Sequence, residues 1–557
     1  MTGVEGGAAR APQPRTEHGR GAEAVTDCLW ILLCGTLVAL ALRPFQDTPF
    51  VDDWVYAWSV QRVLAGHGLE ILDWSSHPNF AHVVWGALFC VPLGFSFVAL
   101  RISTWVAALL ALCALHLLLR ELGVARRDAF LGTALLGLNP IFFMLAATFM
   151  TDVPFVAAFL WASFALVAAL GRRSDRWLAA FVLLASIAAA VRVVALVTPI
   201  AAVLTLALQG GAWGRRPARL LAAAAPLAVF ALLMLYGENR TVHVADLTYV
   251  VGSPFFRRRY LHESLTRLPE LTLQALLCAA GSLGVALLPL SAALATRRTI
   301  VRALPTLAVL ALLAGIAYAT QVDWPSALAP SFTWTYGELG STESLVAAKP
   351  AVLVSSWVVA TVTLLGFVSS ALAVGVVRRR PTPSEGFLLW SLAGHAGLVA
   401  VLWLFYDRYL LALLPLSIAL VLTARPLLRR GALMALLALF ALFSVVGVRD
   451  HLAYNTALWH SVELLRGRGV PDAEIDAGYV VDGWLHFARP ENAPRGRDGK
   501  PMYPWLTDAG GLLPYQVANQ PLPGWRVLTT VPFERWVGRS GALYVLERSA
   551  DESPALR

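Results

Sequence analysis

Along most of this chain, apolar runs of roughly 15 to 25 residues return again and again, separated by short stretches that carry arginine. About 20 mostly apolar residues are needed for a helix to cross the hydrocarbon core of a bilayer. So many runs of that length cannot all hide inside one water-soluble core, and the chain is therefore an integral membrane protein. Its composition agrees: 58% of the 557 residues are hydrophobic and 14% are charged, against about 25% charged for a soluble domain. The mean hydropathy is +0.65.

The formal net charge of +9 does not mark a nucleic-acid binder. The arginines fall in short clusters between apolar runs and do not make one basic face, which is the pattern of loop charges that set orientation in a membrane. Lys349 and Lys500 are the only lysines, a bias that also suits a GC-rich bacterial genome. Cys28, Cys34, Cys90, Cys113 and Cys278 all lie in or beside apolar runs, with neither a disulfide framework nor a zinc spacing. Ala39-Leu40-Ala41 mimics a signal-peptidase site, but the polar stretch before residue 28 is long for a signal peptide, and an uncleaved first helix is expected.

Short arginine-rich loops stay in the cytoplasm, so the chain is expected to start inside, with residues 1–27 a polar cytoplasmic N-terminus. Spans are predicted at 28–44, 98–119, 128–147 and 153–170, then a pair of short spans that turns around Arg192. Further spans follow at 218–236, 271–294, 303–320, 350–377, 386–404, 409–423 and 431–448. That makes thirteen helices in a transmembrane domain over 28–448, with an outer loop at 45–97 whose tryptophans, histidines and prolines suit amphipathic helices in the interface. An odd number of spans puts the C-terminus outside. From residue 449 the composition becomes that of a soluble domain: 454–465 has an amphipathic helical pattern, and IDAGYVV, WRVLTTVPF and ALYVLER read as strands. The predicted fold class is thus a polytopic all-α membrane protein with a small extracytoplasmic α/β domain at 449–557, in a bacterial inner membrane.

Residues 49–58 read PFVDDWVYAW, and a carboxylate at the edge of a membrane domain is costly to place. On the expected topology Asp52, Asp53, Asp152, Arg192, Arg257 to Arg259, Asp407 and Arg408 all project to the outer face. Carboxylates and guanidiniums together suit a negatively charged lipid headgroup and a group that must lose a proton. Structural readings stand beside this one. Asp52 or Asp53 could cap the helix that begins near Trp54, and Asp152, with Pro154 following, fits a helix N-terminus equally. The arginines at 257–259 fit a solvated cluster, and the tryptophans fit interfacial anchors. His67, His77 and His82 have no tight metal spacing, so no cofactor is implied and a divalent metal is not indicated.

DDWVYAWSVQRVLAGHGL resembles the first outer loop of the GT-C glycosyltransferases, a superfamily that includes the polyprenyl-phosphate-mannose protein mannosyltransferases and the bacterial aminoarabinose transferases of lipid A. TFMTDVPF resembles their second acidic site, FYDRYLLALLP a late aromatic-Asp-Arg-Tyr segment, and IDAGYVVDGW with the two strand sequences the C-terminal domain of bacterial members. The resemblance implies transfer of a sugar from a polyprenyl-phosphate donor to a lipid, glycan or protein acceptor on the outer face. It implies Asp52, with Asp53 and Asp152, as the catalytic carboxylates, and no nucleophilic Ser or Cys. The departing phosphate needs cationic donors, for which Arg192, Arg258 and Arg408 are the candidates; Tyr56, His77 and Tyr409 are candidate acceptor or sugar contacts. The chain departs from the mannosyltransferases at Asp53, where they commonly carry Glu, and at His77-Pro78, where relatives often carry Lys-Pro. A transporter of lipid-linked sugars is the rival reading, but it predicts mid-span charges and repeated halves, and the sequence shows charges gathered at one face and no repeat.

Overall fold

The computed structural model describes residues 17–75, 79–242, 262, 265–320, 356–377, 381–400, 407–424, 426–495, 499, 501, 503, 513–536 and 540–549. Seven helices are long and apolar enough to cross a membrane: Ala22–Leu42, Phe97–Glu121, Asp152–Arg172, Pro217–Glu238, Leu268–Ala286, Arg297–Ala319 and Arg430–Arg466. A bent pair, Arg126–Gly137 and Pro140–Ala146, raises this to eight. The other five expected places also hold helices, at Asp175–Val191, Val197–Gln209, Ser356–Val376, Pro383–Ala400 and Leu413–Thr423. The shortest of these, with 11 residues, rises only about 16 Å, roughly half the core, and every residue in it is buried by neighbouring helices.

For the first part of the chain we label α1 Glu17–Leu42, α2 Asp53–Leu64, α3 Phe80–Leu93, α4 Phe97–Glu121, α5 Arg126–Gly137, α6 Pro140–Ala146, α7 Asp152–Arg172, α8 Asp175–Val191 and α9 Val197–Gln209. Local chemistry places several boundaries. Ser96 caps α4 by accepting the Ala99 N–H at 3.0 Å. Between α5 and α6 the chain bends by 66°, because Pro140 has no N–H to continue the ladder and the Asn139 side chain instead accepts the Ile141 N–H at 3.1 Å. Between α8 and α9, Arg192 is extended (φ −148°, ψ 138°), so the expected turn around this residue is a true break in the helix.

At the C-terminal end, the segment 454–465 does form a helix, continuous with the preceding membrane segment in one 37-residue helix, Arg430–Arg466. The sheet beyond it has four strands in the order β3-β4-β6-β5, with β3 Ile475–Asp476, β4 Tyr515–Ala518, β5 Trp525–Phe533 and β6 Gly541–Arg548. WRVLTTVPF and ALYVLER are strands as expected. IDAGYVV is a strand only at its first two residues; Gly478 then takes a left-handed φ of 81° and Tyr479–Asp482 turns into helix. Apolar alternation alone does not distinguish that short run from a strand. A further two-residue parallel ladder joins β1 Ile71–Leu72 to β2 Thr241–Val242.

Two large cores organise the described residues, with three small apolar clusters beside them. One lies among the membrane helices. The other is shared between the segment 45–97 and the C-terminal domain: Trp54, Val55, Ile71 and Phe80 pack in the same cluster as Leu458, Trp484, Phe487 and Val517. The number of helices that cross and their direction are testable. Reporter fusions at Gly171, Arg379 and Ala555 are expected to read inside, inside and outside; an inside signal at Ala555 would refute the odd number of spans.

Candidate functional site

The site is built on the loop that enters α2. Val51 has φ 54°, a conformation costing a β-branched residue about 1–3 kcal/mol and kept only where its surroundings impose it. The surroundings are explicit. Arg101, fully buried near the start of α4, donates to the Gln46 carbonyl, to the Thr48 carbonyl at 2.5 Å and to Asp53 Oδ2 at 3.1 Å. From the long C-terminal helix, Asn455 donates to Thr48 Oγ1 at 3.1 Å and to the Pro49 carbonyl at 3.2 Å. Trp459 Nε1 donates to the same carbonyl at 3.2 Å. The strained turn thus lies between two helices that pin its backbone from either side.

This turn separates the two aspartates. Asp53 faces inward: its Oδ1 accepts the Phe50 N–H at 2.6 Å, its Oδ2 pairs with Arg101, and both side chains are fully buried. Burial pushes its carboxyl up to about 6, against the pull of Arg101. Asp52 occupies the N-cap position of α2 but makes no capping hydrogen bond. Its carboxylate points the other way, partly exposed, with Oδ2 3.5 Å from Arg408 and Oδ1 accepting the Tyr479 hydroxyl.

Asp152 begins α7 and Thr151 takes the N-cap position, neither making a capping bond with its side chain. Asp152 Oδ1 pairs with Arg192, which also donates to Thr151 Oγ1 at 3.3 Å. Asp152 Oδ2 is buried and has no hydrogen-bond partner among the described residues. The two acid–guanidinium pairs meet at Tyr409, whose ring lies 5.9 Å from the Arg192 guanidinium and 5.7 Å from that of Arg408. Tyr56, one turn along α2 from Asp52, sits within the field of both pairs; burial and the Asp52 charge push its hydroxyl up to about 12, so it is a neutral hydrogen-bonding group at physiological pH. His82 packs edge-on against Tyr56 at 5.2 Å and stacks on Phe149 at 4.1 Å.

Chemically, this is a partly exposed carboxylate held next to largely buried cations, with a second, buried carboxylate and two tyrosines around it. Such a set can take a proton from a hydroxyl at one point and stabilise a departing anion at another. Of the residues singled out in the sequence, Asp52, Asp152, Arg192, Arg408, Tyr56 and Tyr409 come together here, while Asp53 lies beneath in its own pair. His77 and Arg258 lie outside the described residues, as does the side chain of Asp407. Among the described residues, no group of three or more His, Cys, Asp or Glu side chains forms a candidate metal site.

Two participants escaped the sequence reading. Arg101 had a signal: it is the only Asp, Glu, Lys or Arg from Phe97 to Leu119, and a lone charge in an apolar span needs a reason. Tyr479 had none, since it lies 427 positions from its partner Asp52 in a stretch that reads as a soluble strand.

Comparison with known proteins adds the following. Residues 76–236 match the family model for dolichyl-phosphate-mannose-protein mannosyltransferases, a match that includes Asp152 and Arg192 and supports the resemblance to GT-C glycosyltransferases. No curated protein sequence matches the chain significantly. Among solved structures, the chain is similar to ArnT from Cupriavidus metallidurans bound to undecaprenyl phosphate, at 14% identity and a TM-score of 0.40, with 96% of this chain and 99% of that chain covered. It is similar to the same protein in its apo state at 14% identity and a TM-score of 0.41, with 94% and 98% covered.

Proposed function

We propose that the chain is a membrane glycosyltransferase that moves a monosaccharide from a polyprenyl-phosphate donor to an acceptor hydroxyl or amine, with inversion at the anomeric carbon. The observation that carries this reading is the pairing of Asp52 with Arg408 and of Asp152 with Arg192 around Tyr56 and Tyr409, in a segment order matching that of polyprenyl-phosphate-sugar transferases. Asp52 is the partly exposed carboxylate and takes the proton of the attacking group. The guanidiniums of Arg192 and Arg408 receive the donor phosphate, where charge builds as the glycosidic bond breaks. Asp152 Oδ2, buried and without a hydrogen-bond partner among the described residues, orients the acceptor. A single in-line displacement then needs no covalent enzyme intermediate. Asp53 serves the turn, by its pair with Arg101. The reaction takes place on the outer face, where the C-terminal domain also lies.

The test uses purified protein in liposomes with a polyprenyl-phosphate sugar. Transfer releases free polyprenyl phosphate and puts the sugar on an acceptor; a transporter moves the intact lipid across the bilayer and leaves the bond whole. Arg192→Ala and Arg408→Ala are each expected to weaken donor use by about 10-fold or more, as loss of a charge-assisted contact in a dry site does. Arg172→Ala removes a half-exposed guanidinium paired with Glu121 and should change little. Intact lipid translocation without bond cleavage, or equal and negligible effects of all three substitutions, would refute this assignment.

A further inference from the structure

Among the described residues, the hydroxyl of Tyr479 is the contact to Asp52 that comes from the C-terminal domain. We propose that Tyr479 is a positioning residue that aims the Asp52 carboxylate, so that the C-terminal domain is a working part of the site and not only a cover over it. The inference rests on the transferase reading above and names a residue that lies within IDAGYVVDGW but to which that resemblance gives no role, and that falls outside the family match at 76–236.

The geometry fixes the direction of the hydrogen bonds. Trp74 Nε1 donates to the Tyr479 oxygen at 2.8 Å. An indole N–H can only donate, so the tyrosine oxygen accepts there and its single proton is directed at Asp52 Oδ1. Burial, with the Asp52 charge beside it, holds the phenol well above its usual range, so that proton is retained. Asp52 is therefore gripped at two oxygens from two sides, by Tyr479 at Oδ1 and by Arg408 near Oδ2.

Tyr479 is itself held from below and from the side. Gly478 before it has φ 81°, open to glycine at little cost. Asp476 Oδ1 accepts the Gly478 N–H at 3.3 Å, and Asp482 Oδ1 accepts the Ala477 N–H at 3.1 Å. Both carboxyl groups are buried, and Gln516 of β4 donates to Asp476 Oδ2 at 3.4 Å. The Tyr479 ring packs 5.9 Å from both Trp54 and Trp74. Trp54 in turn lies so close to Gly483 that a Cβ there would come within 2.4 Å of the indole. A whole domain wall thus stands behind one hydroxyl, which a cover with no part in the chemistry would not require.

Tyr479→Phe removes the hydroxyl and keeps the ring packing, so the variant is expected to fold. Loss of a hydrogen bond to a charged group should lower kcat by about 10- to 100-fold, with the KM for the polyprenyl-phosphate sugar nearly unchanged, since Arg192 and Arg408 hold the phosphate. The decisive measurement is a double-mutant cycle in single-turnover transfer with enzyme in excess. If the tyrosine acts through Asp52, Tyr479→Phe should add little further loss in an Asp52→Asn background. Equal losses in both backgrounds, or a matching rise in KM, would mean a merely structural role and overturn the inference. Wild-type kcat in Tyr479→Phe, with Asp52→Asn impaired, would overturn it while leaving the transferase reading intact. Absence of transfer by the wild-type protein would remove both.

Discussion

Asp52→Asn is expected to leave a folded protein that binds the polyprenyl-phosphate sugar and transfers it about 10²- to 10⁴-fold more slowly, the usual loss when a positioned general base is removed. Folding should survive because Asp52 makes no capping hydrogen bond, so the substitution removes no contact that the turn depends on. Asn keeps the size of the side chain and can still accept the Tyr479 hydroxyl through its amide oxygen. It cannot accept a proton at neutral pH. Measured kcat, with donor affinity and thermal unfolding alongside, separates these effects. Near wild-type transfer by Asp52→Asn with a dead, folded Asp53→Asn would show that the roles within the acidic pair are reversed. Near wild-type transfer by both would remove the carboxylates from the mechanism.

For stability, the largest effect is expected at Arg101. Arg101→Met should cost about 3–5 kcal/mol, because it leaves a carboxylate buried without its counter-charge and strips the Gln46 and Thr48 carbonyls of their donor. The loss should depend on pH, with a sign that follows from Asp53. Its folded-state value of about 6 lies above the ~3.9 of an exposed aspartate. Between those values the folded protein holds a proton that the unfolded chain gives up, so the group's contribution to stability falls as pH rises through that window. Without Arg101 the carboxyl is still harder to ionise, and the penalty should be smaller at about pH 5 than at about pH 7.5. Melting in detergent at the two pH values measures this directly. Arg101→Met combined with Asp53→Leu should lose less than the two single substitutions summed, since the double change leaves no charge stranded. A single variant that melts like wild type at both pH values would exclude the clamp as a source of stability.

The sequence by itself determined that the chain lives in a membrane, where its helices stand, and that its acids and arginines gather at the segment ends. Those features are written in one dimension: the length of an apolar run is set by bilayer thickness, and arginine between runs by the cost of moving charge across it. Even the break at Arg192 was legible, because an arginine inside a short apolar stretch has to leave the helix or find a partner. The strands at 525–533 and 541–548 were legible too, through their β-branched and aromatic residues. What only the tertiary structure decided was which way each neighbour of a motif faces. Asp52 and Asp53 are chemically identical in sequence, and their separation into a partly exposed carboxylate and a buried ion pair follows from Val51 at φ 54°, which Arg101 and Asn455 impose from helices distant in the chain. Tyr479 was beyond reach for the same reason: a hydroxyl 427 residues from its carboxylate is brought to it by a core shared between the segment 45–97 and the C-terminal domain, and packing between distant segments leaves no periodic trace in either of them.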